Sequence, residues 1–126
     1  MSFKVTLSED GTYVICKITG PLTAEIARES MIELDRMCRA HNIKRVLNDV
    51  REVSNVLNVT RNYEFAYKDM VELGIQRDVF GAILTAPEDS SHDFVETVAR
   101  NAGYNVRVFR DENAAVNWLK SERVEK

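Results

Sequence analysis

The chain has 126 residues, 44% hydrophobic and 29% charged, which is the balance of one ordinary globular domain. Its 17 basic and 20 acidic residues give a formal charge of −3, which argues against a dedicated nucleic-acid binder, since such domains carry a basic excess. No apolar run approaches the roughly 20 residues of a membrane span, and Met1-Ser2-Phe3-Lys4 has no apolar signal core, so a cytoplasmic location is expected.

Phe3, Val5 and Leu7 alternate with Lys4, Thr6 and Ser8, the period of a strand with one buried face. Glu9-Asp10-Gly11 is a turn, and Thr12 to Thr19 is a second strand with Val14, Cys16 and Ile18 on one face. The two are expected to pair as an antiparallel hairpin that Gly20-Pro21 ends. Thr23 is placed to cap a helix running to about His41, with Ala24, Ala27, Met31, Leu34 and Cys38 on its apolar stripe. His41 falls near the end of that helix, where a cation is favoured.

Arg45 to Val50 reads as a short strand and Arg51 to Asn58 as a loop. Thr60 is placed to cap a second helix through Leu73, with Tyr63, Ala66, Tyr67, Met70 and Val71 as its stripe and Gly74 as its stop. Val79 to Thr85 is almost continuously apolar, as in a strand covered on both faces. Ser90 and Asp93 have the spacing of a capping box for a third helix, whose buried face is Phe94, Val95, Val98, Ala99 and Ala102. Val106 to Phe109 is a fifth strand, and Asp111 caps a last helix carrying Ala115, Trp118 and Leu119. Residues 1–120 are expected to form the domain and 121–126 a charged tail.

The order is β-β-α-β-α-β-α-β-α. It predicts an α/β fold: a five-stranded, mostly parallel mixed sheet with about four helices and right-handed crossovers. Ligands of such sheets sit beyond the carboxyl ends of the parallel strands. That rim would hold Gly20-Pro21, Asn48-Asp49, Thr85-Ala86-Pro87 and Phe109-Arg110.

The order of elements resembles the STAS fold of anti-sigma-factor antagonists, and more closely its SpoIIAA-like branch of small bacterial and archaeal proteins. The resemblance runs from about Phe3 to Leu119. It is carried by Gly20-Pro21-Leu22-Thr23, by Arg45-Val46-Leu47-Asn48-Asp49-Val50-Arg51, and by Phe94, Asn101, Gly103 and Val106-Arg107-Val108-Phe109. Asp111-Glu112 with Ala115-Val116-Asn117-Trp118-Leu119 completes it. It implies partner binding. Anti-sigma antagonists place an Asp-Ser pair at the next helix, and the partner kinase phosphorylates that Ser. Here the corresponding stretch is Val56-Leu57-Asn58-Val59-Thr60, which lacks the pair; the nearest hydroxyls are Ser54 and Thr60. A phosphoryl group would be favoured near a helix N-terminus, whereas Thr60 can equally serve only as a cap.

The residues themselves point to little catalytic chemistry. Cys16 and Cys38 lie inside apolar patterns without C-x-x-C spacing, so buried, inert thiols are expected rather than a zinc site. Met31 and Met37 read as core filler. Ser91-His92-Asp93 has triad letters, but contiguous residues cannot form a triad, and Ser90 and Ser91 read as cap residues. The glycines are too widely spaced for a phosphate cradle, so no cofactor is expected. Arg107 and Arg110 are too sparse for a nucleic-acid platform.

Asp49 is the acid to single out, either as a ligand group or base, or as an acceptor for nearby loop amides. Arg51 and Arg61 flank the same loop and could meet an anionic partner, or be plain solvated surface. Tyr63 and Tyr67 share a helix face that Phe65 does not. The leading reading is a non-enzymatic interaction domain that binds a protein, or a second copy of itself, through Asp49, Arg51, Ser54, Asn58, Thr60, Arg61, Tyr63, Tyr67 and Thr85. The alternative is a carrier of a small apolar, lipid-like ligand beneath the Tyr63/Phe65/Tyr67/Met70 helix. An enzyme resting on Asp49, Arg51 and Thr85 comes third and has no recognisable reaction class.

Overall fold

The structure, a computed structural model, describes residues 2–54 and 64–121. Strands β1 (Phe3–Leu7) and β2 (Val14–Ile18) pair antiparallel, with Phe3 opposite Ile18 and Leu7 opposite Val14. Ser8 holds the turn between them: its hydroxyl accepts from the amides of Thr12 and Tyr13 at 3.1 and 3.2 Å and donates to Asp10 at 2.9 Å. Gly11 supplies the positive φ of 72° that the turn requires.

Helix α1 (Ala24–His41) starts where expected. The Thr23 hydroxyl accepts from the amide of Ile26 at 3.1 Å, and Asn42 ends the helix in the left-handed region. His41 is exposed in its last turn. Strand β3 (Arg45–Asp49) lies parallel to β2, β4 (Phe80–Leu84) parallel to β3, and β5 (Asn105–Phe109) parallel to β4. Space therefore repeats sequence, β1-β2-β3-β4-β5. The five-stranded mixed α/β sheet predicted from the element order is the one formed.

The alternation along each strand sorts side chains to two faces. Val14, Cys16, Ile18 and Val46 face α1 and pack with Leu34, Cys38 and Val50. Leu47, Ala82 and Leu84 face the other way, onto Ala115 and Leu119 of the last helix, α4 (Glu112–Ser121). The Asp111 carboxylate caps α4 by accepting from the Ala114 amide at 2.9 Å, as the sequence indicates. Trp118 meets Phe80 edge-on, with ring centroids 6.0 Å apart. In β1, Phe3 and Val5 are only half-buried and Leu7 is exposed, because no described strand lies beyond this edge.

Two local expectations are corrected. Among the described residues the stretch ending at Leu73 is not one regular helix: Phe65–Asp69 winds as a π-helical turn between the α-helical Glu64 and the short α-helix Met70–Glu72, α2. The start expected at Thr60 lies outside the described residues. The capping box of Ser90 and Asp93 does not form either. Helix α3 (Asp93–Asn101) has no side-chain cap; the Asp89 carboxylate takes the Ser91 amide at 2.9 Å, and the Ser90 carbonyl takes the Asp93 amide at 3.1 Å. No described helix is long and apolar enough to cross a membrane.

Candidate functional site

The carboxyl ends of β3, β4 and β5 form the rim anticipated for ligands, and the polar residues gather there. Asp49 ends β3 with its side chain 9% exposed. Arg51, two residues on, clamps both carboxylate oxygens, Nε to Oδ1 at 2.9 Å and Nη2 to Oδ2 at 2.8 Å, and its amide adds a bond at 3.2 Å. The guanidinium is 44% exposed and also reaches Glu112 at the start of α4, at 3.4 Å. Burial pushes the Asp49 carboxyl up, but the hydrogen bonds and charge of Arg51 outweigh it and hold the group below its ordinary value. A carboxylate held in this way is a weak proton acceptor. It suits structure and recognition better than general-base work.

The loop after β3 is fastened to the start of α3. His92 is buried, with its Nε2 2.9 Å from the Val53 carbonyl and 3.6 Å from Asp89 Oδ2. Ser54 donates to Asp89 Oδ2 at 3.4 Å. Hydrogen bonds from the Ser91 side chain and amide hold the Asp89 carboxyl below its usual value. At the end of β5, Arg110 clamps Asp93 at 2.8 and 3.0 Å and reaches the Asp89 carbonyl at 3.4 Å. Arg51, Glu52, Val53, Ser54, Glu88 and Asp89 border an open cleft of about 280 Å³. A second cleft, of about 290 Å³, continues from Glu52–Ser54 to Gly20-Pro21.

Of the residues singled out from sequence, Asp49, Arg51 and Ser54 come together here. Thr85 sits at the same rim but is fully buried, with its hydroxyl donating to the Ala86 carbonyl at 3.1 Å. Tyr67 is 47% exposed in the π-helical turn and lines neither cleft. Asn58, Thr60, Arg61 and Tyr63 lie outside the described residues. Sequence reasoning missed Asp89, His92 and the pair Asp93–Arg110. The available signal was a polar run, Pro87 to Asp93, following a strand that ends at the rim. Cys16 and Cys38 are buried free thiols, pushed by burial up to about 12 and about 11. Among the described residues, no group of three or more His, Cys, Asp or Glu could hold a metal ion.

No protein-family model and no curated protein matches the chain. Among solved structures it is similar to the anti-sigma factor antagonist SpoIIAA in its unphosphorylated form, at 13% identity and a TM-score of 0.48, over 96% of this chain and 98% of that one. It is also similar to an antisigma-factor antagonist STAS domain from Rhodobacter sphaeroides, at 18% identity and a TM-score of 0.35, over 90% and 88% of the two chains.

Proposed function

We propose that this chain is a partner-binding regulatory domain of STAS type, acting in the cytoplasm without a catalytic step or cofactor. Its docking surface is the rim formed by the loop Arg51–Ser54 and the segment before α3. One observation carries the reading: the rim presents exposed charges on a backbone that is already fixed. The bond between His92 and the Val53 carbonyl and the Arg51–Asp49 clamp order the loop from beneath, while Glu52, Ser54 and Glu88 remain exposed above it. A surface ordered beforehand loses less entropy when a partner docks. In this reading Asn58, Thr60, Arg61, Tyr63 and Tyr67 extend the surface, and the acidic lip selects a partner bearing Lys or Arg.

The test is affinity capture from host lysate with three baits, followed by binding measurements on each purified capture. Wild type should retain a specific protein, or a second copy of itself. The lip double variant Glu52→Lys/Glu88→Lys should weaken that binding at least about tenfold, and Lys4→Glu on β1 should leave it unchanged. The same captured set at the same affinity on all three baits would overturn the assignment.

A further inference from the structure

A second feature lies away from the rim, between α1, the α2 turn and β5. It is a half-open pocket of about 70 Å³. Its walls are mostly apolar, with Met31 and Leu34 of α1, Met70 of α2 and Val106 of β5 among them; Asp35 and Gln76 add polar groups. Tyr104 lines it too, and this residue is held everywhere except at its hydroxyl. Its amide donates to the Ala99 carbonyl at 3.0 Å, and the Arg77 guanidinium lies 4.8 Å over its ring. Arg77 is fixed in turn by a 3.2 Å bond to the Ala102 carbonyl. Among the described residues, the Tyr104 hydroxyl is the one buried side-chain polar atom without a hydrogen-bond partner. A buried donor left unmade is costly, and nearly all such groups find a partner.

We propose that this pocket binds a small, neutral, mostly aliphatic molecule carrying one hydrogen-bond-accepting oxygen, which takes the Tyr104 hydroxyl. The size sets the class. An apolar cavity of about 150 Å³ admits benzene, so half of that suits a short alcohol or ketone and is too small for an acyl chain. The carrier reading from the sequence is thereby narrowed from lipids to small polar-tipped molecules. Met31 and Met70 are unbranched and can shift to let the oxygen reach the hydroxyl. Gly81 lines the floor: a Cβ built there makes ordinary van der Waals contact, nearest Val106 Cγ2 at 3.8 Å, so an alanine fits without displacing a neighbour. The inference is independent of the rim reading.

The experiment titrates ethanol into the full chain labelled at its methionine methyls and follows them by NMR. Of the described methionines, Met31 and Met70 line the pocket and Met37 does not. The Met31 and Met70 signals should move saturably while that of Met37 stays still. Tyr104→Phe should raise the dissociation constant at least about threefold without lowering the melting temperature, because it removes an unpaired group. Gly81→Ala fits the fold and fills the floor, so it should weaken binding about tenfold. Shifts that do not saturate, or that move the Met37 methyl alike, would mean water or non-specific contact and sink the proposal. Binding unchanged in both variants would do the same, as would a melting temperature lowered by Tyr104→Phe.

Discussion

Asp49 stays ionised in a nearly closed position because Arg51 lies across both its oxygens. A carboxyl whose folded pKa lies below its unfolded value of about 3.9 contributes stability above that value. The contribution is lost as pH falls through the folded one. Asp49→Asn should therefore cost about 2 kcal/mol at neutral pH, and the gap to wild type should close on acidification below about pH 4. Urea unfolding midpoints across that range measure it; a gap independent of pH would refute the pairing. His92→Leu keeps bulk but removes the bond to the Val53 carbonyl. The loss should be about 1–2 kcal/mol, with faster hydrogen exchange at the Val53 amide. These two residues also show what a sequence can reveal of a site. Asp49 and Arg51 stand at a predicted strand end, so each could be singled out there, but that Arg51 clamps Asp49 rather than an outside partner is seen only in the fold. His92 and Val53 are 39 residues apart, and only the fold joins them.

At the scale of elements, capping and burial make separable contributions. Thr23→Ala removes one hydrogen bond from an exposed helix start and should cost about 1 kcal/mol. Leu119→Ala should cost about 2–5 kcal/mol, since Leu119 is fully buried under β3 and β4 by α4, the one described helix on that face. Thermal melts of the two variants give the comparison, and equal losses would contradict the packing described. Strands were legible because a period of two leaves one register that buries Val14, Cys16 and Ile18 together. The π-helical turn at Phe65–Asp69 was not, because the spacing of apolar residues there also satisfies an ordinary helix. The capping box failed for a different reason. Asp89 captures the amide two residues on, a local turn that competes with a Ser cap.

For the whole molecule, the two cysteines act as a built-in reporter. Cys16 on β2 and Cys38 on α1 belong to one buried cluster, and burial keeps both thiols protonated at neutral pH. Neither should react with a thiol reagent in the native state, and both should become reactive at one shared rate, that of global opening. Two different rates would mean that α1 separates from the sheet on its own. The strand order has a further consequence, for a chain being made from its N-terminus. Since each strand pairs with the one before it, every new strand leaving the ribosome meets a partner that has already emerged. Among the described elements, the face bearing Leu47, Ala82 and Leu84 is covered by α4, which follows all five strands in the chain. A nascent or truncated chain that lacks α4 would hold a complete sheet with one apolar face turned to water, the kind of surface that chaperones and proteases select.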